Sequence, residues 1–152
     1  MTIVETLPIT GAEAGDPATP FGALAEFYRA FNGRDLALMR QNWQLDECVL
    51  DNPLGGIRRG WPEIEPLYRR LFTGQARVYV EFYDYSLHLG PAMFCAAGRE
   101  RGRFEQAGRH IDLAIRTSRI YRFDGRRWRQ IHHHGSIEDG GLLVAYQAAV
   151  SA

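Results

Sequence analysis

The chain reads as an α+β domain: a cone-shaped α+β barrel, with a curved mixed or antiparallel sheet and three N-terminal helices over its concave face. Three observations predict it. Apolar residues recur at helical spacing between residues 20 and 73. After Gly74 the texture turns aromatic and β-branched, in four long segments separated by turn residues. The third of these segments alternates cleanly between faces. Helices followed by strands, rather than alternating with them, define an α+β pattern. The 152 residues suffice for one domain with a real core.

The first nineteen residues are small, Pro/Gly-rich and aperiodic, so they are expected to form a flexible arm ahead of a domain spanning 20–152, with "TIV" free to dock on a neighbour. Thr19 suits an N-cap, and Pro20 suits a first turn. Leu24, Phe27, Tyr28 and Phe31 then share a helical face, until "NGRD" ends the helix and "DLALMRQNW" begins another. "ECVLDNP" reads as a short strand running into a turn punctuated by Pro53, Gly55 and Gly56. In "GWPEIEPLYRRLF", Trp61, Ile64, Leu67, Tyr68 and Leu71 define a third helix.

The strand segments are "ARVYVEFYDYSLHL", "AMFCAAGRERGRFE", "RHIDLAIRTSRIYRF" and "WRQIHHHGSI", with "DGRR" as the hairpin turn before the last. Period-two spacing puts Ile111, Leu113, Ile115, Thr117, Arg119, Tyr121 and Phe123 on one face. "GGLLVAYQAAV" suits a short terminal helix. A curved sheet under helices encloses a natural hollow for a small molecule.

Composition narrows the partners. Basic and acidic residues number 18 each, so a nucleic-acid or anionic-membrane partner is not expected. No apolar run approaches a membrane span. Cys48 and Cys95 form no Cys-x-x-Cys and sit in apolar stretches, which suits reduced core thiols of a cytoplasmic protein; no basic-then-apolar leader opens the chain. All 18 basic residues are arginine, as a GC-rich bacterial genome would encode. Arginine keeps its charge when buried and grips carboxylates through two parallel donors.

That property makes Arg119 the most informative residue. It is the one charge on an otherwise apolar strand face, and it needs a pairing carboxylate (Asp51, Glu81 or Asp84) or an anionic ligand. The three consecutive histidines raise a second question. His132 and His134 share one strand face about 7 Å apart, and His133 faces the other. The pair suits a polar lining of the hollow. It also supplies two metal ligands, but a site needs a third, and His88, His110 or Asp112 would serve only if the register brought one near. The expectation is no metal and no cofactor. Asp51 is a candidate general base if it faces the hollow, and a turn cap otherwise. Tyr28, Trp43, Trp61 and Tyr121 are candidate aromatic lining.

"DNPLGGIRRGWPEIEPLYRRLF" and "SRIYRFDGRRWRQIHHHGS" resemble the nuclear transport factor 2-like superfamily, in particular its SnoaL-like domains. The resemblance covers about residues 20–137 and implies a ligand-binding cone, commonly in a homodimer. It is similar, more distantly, to ketosteroid isomerase, whose base position falls on Asn52 and whose oxyanion donors fall on Phe27 and Arg119. An amide cannot serve as that base, and phenylalanine has no donor, so steroid isomerisation is not expected. The pattern Trp128, His132, His134, Ser136 resembles the association domain of calcium/calmodulin-dependent kinase, whose pocket arginines would fall on Arg99 and Arg119. Together these imply a small-molecule-binding protein in which Arg99, Arg119 and Asn52 contact a small anionic or carbonyl-bearing metabolite. Asp51, His132 or His134 would move protons in a cofactor-independent isomerase, cyclase or dehydratase. One alternative is a non-catalytic association module, with Ile120, Ile131, His133 and Ile137 at the interface; a third reading is a metal-dependent oxygenase or hydrolase using His132 and His134.

Overall fold

The computed structural model describes residues 2–5 and 7–151. Its elements run β1 (Thr2–Glu5), α1 (Pro20–Asn32), α2 (Leu36–Asn42), β2 (Val49–Asp51), β3 (Ile57–Arg59), α3 (Trp61–Thr73), β4 (Arg77–Leu89), β5 (Met93–Gln106), β6 (Arg109–Phe123), β7 (Trp128–Ser136) and α4 (Gly140–Ser151). The strands form one curved sheet in the order β1-β4-β5-β6-β7-β2-β3. Every neighbouring pair is antiparallel except β2 and β7, which run parallel, so the sheet is mixed. The cystatin-like α+β architecture matches the expectation. Among the described residues no helix is long and apolar enough to cross a membrane.

Local chemistry sets the helix ends. Thr19 Oγ1 accepts from the Gly22 amide at 3.1 Å, satisfying an otherwise orphaned donor at the start of α1. Asp35 does the same for Leu38 in α2 at 2.9 Å. Between them Arg34 takes a left-handed conformation at φ 55°, which turns the chain sharply. Trp61, Ile64, Leu67 and Tyr68 of α3 are buried, on the face their spacing predicts.

Part of the segment expected to form an arm pairs with the sheet: residues 2–5 lie along β4, and Ile9 bridges Phe82. Ile9 is fully buried and exchanges two backbone hydrogen bonds with Phe82, at 2.8 and 2.9 Å. Arg29 donates to the carbonyls of Gly11 and Glu13. The "TIV" stretch lies in β1, on the edge of its own β4. Met1 and Thr6 lie outside the described residues. The aperiodic sequence hid this because the segment is anchored by backbone bonds and one isoleucine, which produce no periodicity.

Two bulges shape the long strands. One interrupts β4 against β5 between Tyr83 and Ser86, with Asp84 at φ 48°. Gly98 lies opposite that bend; a Cβ there would come within 2.6 Å of Tyr85 Cβ, so only glycine fits unless the strand shifts. The second bulge lies in β7. Tyr121 pairs with Gln130 and Ile120 with His132, which leaves Ile131 unpaired. An extra residue reverses the facing of all that follows it.

Asn32 fastens the N-terminal segment to the helices and the sheet. Its amide donates to the carbonyls of Thr10 (2.9 Å) and Val80 (2.8 Å), and its oxygen accepts from the Val80 amide (3.0 Å). Asn32→Ala is expected to lower unfolding stability by about 1–3 kcal/mol, because two carbonyls and an amide lose their partner at once. Urea unfolding followed by circular dichroism measures it, and an unchanged midpoint would deny Asn32 this role.

Candidate functional site

The alternation of β6 is realised: Leu113, Ile115, Thr117, Arg119 and Tyr121 all face the interior. Arg119 is 1 % exposed. Its partner is a carboxylate outside the expected set. Arg119 Nη2 donates to Glu100 Oε1 at 2.9 Å, and Nη1 donates to Gln130 Oε1 at 2.6 Å. The Tyr28 hydroxyl donates to the same Glu100 oxygen at 2.8 Å. The Phe27 ring lies beneath the guanidinium, 3.6 Å from its carbon to the ring centroid. Burial opposes the charge on Arg119, but Tyr28 and Glu100 outweigh it and raise its pKa above that of an ordinary arginine. Burial likewise pushes the Tyr28 phenol well up, so Tyr28 keeps its proton.

The polar chain continues through the core. Gln130 Nε2 approaches Asn42 Oδ1 at 3.4 Å, and Tyr121 donates to the same oxygen at 2.9 Å. Asn42 in turn donates to the Ala23 carbonyl at 2.8 Å and to Glu26 Oε1 at 3.0 Å. Arg127, at the hairpin before β7, pairs with Glu26. Its members come from α1, α2, β5, β6, β7 and the hairpin between the last two, so the network ties α1 and α2 to the sheet.

A cavity of about 40 Å³ adjoins the ion pair, walled by Arg119, Glu100, His133 and Asn52 among apolar side chains that include Phe27, Tyr68 and Tyr146. His133 is 6 % exposed, and neither ring nitrogen has a hydrogen-bond partner among the described residues. Burial, and then the nearby Arg119 charge, lower its pKa well below that of an ordinary histidine, so the ring is neutral at pH 7. A neutral imidazole with free nitrogens on a cavity wall can accept one proton and donate another.

Several expected site residues lie elsewhere. Arg99 does not line the inner cavity: it points outward and pairs with Asp84 at 3.1 Å. Period-two parity explains this, since Phe94, Ala96, Glu100 and Phe104 are the buried set of β5. His132 and His134 also face outward, and His133 inward, the reverse of the expected lining; the bulge at Ile131 turns them over. His133 is therefore no residue of an outer interface. Asp51 accompanies the outer pair because β2 runs beside β7, with Asp51 opposite His134 and the buried Leu50 opposite His133. Trp43, Trp61, Tyr28 and Tyr121 are buried core residues rather than cavity lining. Asn52 does border the cavity, although its side-chain oxygen caps the turn by accepting from the Leu54 amide at 3.0 Å. Sequence reasoning missed Glu100, Gln130 and His133. The parity of Phe94 and Phe104 carried the signal for Glu100, and Trp128 carried it for Gln130.

Comparison with known proteins agrees with this fold. A SnoaL-like domain profile matches residues 22–139, and the chain belongs to that family. No curated protein matches it. Among solved structures, it is similar to a protein from Thiobacillus denitrificans ATCC 25259 provisionally named as a calcium/calmodulin-dependent protein kinase type II association domain. The two share 24% identity over 84% of this chain and 100% of the other, with TM-score 0.65. A provisionally named dehydratase of the NTF2-like family from Streptomyces avermitilis shares 15% identity over 75% of this chain and 90% of its own, with TM-score 0.66. A provisionally named ketosteroid isomerase from Shewanella frigidimarina shares 15% identity over 80% and 95%, with TM-score 0.63.

Removing either half of the Arg119–Glu100 pair strands a buried charge. Glu100→Leu or Arg119→Met alone is expected to lower stability by about 3–5 kcal/mol, while the double variant loses less than either single one. Denaturant unfolding of the three variants measures the coupling, and simple additivity would contradict the pairing.

Proposed function

We propose that the chain binds a compact, largely apolar, carbonyl-bearing metabolite in the cone and moves a proton on it without a cofactor. The family includes isomerases, cyclases and dehydratases, which share that chemistry. The observation that carries the reading is His133, buried on the cavity wall with both nitrogens unpartnered, beside a fixed guanidinium. Buried polar groups without partners are rare, and they point to a ligand or water. Glu100 already neutralises Arg119, so a free carboxylate would have to displace it; a neutral carbonyl would not. This favours the carbonyl over the anionic ligand. In the reaction, His133 takes a proton from the carbon beside the carbonyl, and the enolate charge forming beside Arg119 and the new imidazolium offsets the burial and repulsion that weaken the free ring as a base.

The cavity is small. A single water needs about 10–15 Å³ by a comparable measure, so about 40 Å³ holds only a few atoms. Tyr146 of α4 forms part of the wall, and Gln147 ties α4 to the Leu54 carbonyl at 2.8 Å. Displacing α4 is the simplest way to enlarge the site for a metabolite.

A second reading rests on the sheet's outer face, where Ile120 is half-buried beside His132. It assigns this face to a homodimer, in line with the association-domain likeness. Ile137, half-buried, packs against the core. Light scattering reads the assembly, and a monomer would remove the second reading.

The first reading is tested by incubating the protein in D₂O with a panel of small ketones, aldehydes and β-keto acids and following deuterium incorporation by NMR. Exchange beside the carbonyl of at least one compound class is expected, reduced about 100-fold or more in His133→Gln. No exchange across the panel, or equal exchange by His133→Gln, would overturn it.

A further inference from the structure

On the face opposite the cavity, two imidazoles and a carboxylate converge. Asp51 Oδ2 lies 3.8 Å from His132 Nε2 and 3.7 Å from His134 Nδ1. One donor atom from each residue fits within a sphere of mutual distances no greater than 4.8 Å. We propose that Asp51, His132 and His134 form a binding site for a divalent first-row transition ion, with zinc as its probe.

The donor set suits such an ion. Imidazole nitrogen and carboxylate oxygen both bind zinc at about 2.0–2.1 Å, and in a tetrahedron this sets neighbouring donors about 3.4 Å apart. The two carboxylate–imidazole separations exceed that by a few tenths of an ångström, within the reach of small side-chain rotations. Three protein ligands leave a fourth position open, as in zinc sites that exchange water or bind a reactant.

The backbone holds the donors in place. His132 and His134 sit two apart on β7, with His133 locked inward between them, and the parallel register of β2 fixes Asp51 opposite His134. None of the three side chains is committed to a hydrogen bond within 3.5 Å elsewhere among the described residues. The neighbouring Asn52, not Asp51, caps the "NPLGG" turn. The Asp51 carboxylate is therefore left aimed at the two imidazoles, too far from either for a direct hydrogen bond. The ligand side chains are 25%, 30% and 56% exposed, so an ion can reach them from solvent. His134 also borders a broad surface hollow with Ser118, Arg99 and Arg116. The sheet separates this cluster from His133, so the site stands or falls independently of the proton-transfer reading.

The test uses the full-length chain without an affinity tag, stripped with a chelator and titrated with zinc in competition with a chromophoric chelator. One zinc per chain is expected. Asp51→Asn and His134→Ala are each expected to weaken binding at least tenfold, while His88→Ala, an exposed histidine on β4, leaves it unchanged. Cobalt replacing zinc should show the visible absorption of a four-coordinate ion and lose it in both ligand variants. Circular dichroism of the metal-free variants checks the fold, and His134, the most exposed ligand, keeps the test decisive if Asp51→Asn folds poorly. Absence of stoichiometric zinc, unchanged affinity in the foldable ligand variants, or a loss that follows His88 would overturn the site.

Discussion

A permanent positive charge sits inside this sheet, and much of the interior is organised around neutralising it. Arg119 cannot lose its proton to escape burial, as lysine can. It therefore requires Glu100 from the adjacent strand, an amide oxygen from Gln130, and the Phe27 ring beneath it. Glu100 in turn takes the Tyr28 hydroxyl from α1. Helix, sheet and hairpin are thus joined by interactions whose geometry tolerates little error. A buried pair of this kind contributes less to net stability than to fixing one arrangement of the elements.

The ion pair also shapes what the cavity can do. With Arg119 and Glu100 satisfying each other, the wall presents a dipole rather than a bare cation. Beside it, the His133 ring has no hydrogen-bond partner among the described residues. In the proposed reaction the pair orients a polar atom of the ligand, and the imidazole exchanges a proton with it. The same strand sends its other two imidazoles out through the opposite face, where Asp51 meets them. Two chemically distinct surfaces thus arise from consecutive residues.

Much of the fold was legible because its signals are periodic. The alternation from Ile111 to Phe123 placed Arg119 inside without any structure, and helical spacing placed Phe27 and Tyr68. What escaped lay where periodicity breaks or is absent. Ile131 adds one residue to β7, and no composition signal marks it. Motif resemblance set Arg99 in the pocket, although the parity of Phe94, Ala96 and Phe104 pointed to Glu100. The meeting of Asp51 with the histidines depends on a parallel pairing between segments about eighty residues apart, which local patterns cannot show. The pairing of residues 2–5 and of Ile9 with β4 escaped notice because isolated anchors leave no rhythm in the sequence.

The unpaired residue at position 131 acts as a parity switch. A relative with the same letters, His-x-His included, but with every residue paired and no bulge at 131, would send its outer two imidazoles through the wall while the middle one emerged. Identical motifs would serve opposite sides of the barrel. In such strands, what a histidine can touch is set by where the irregularity falls as much as by the letters themselves.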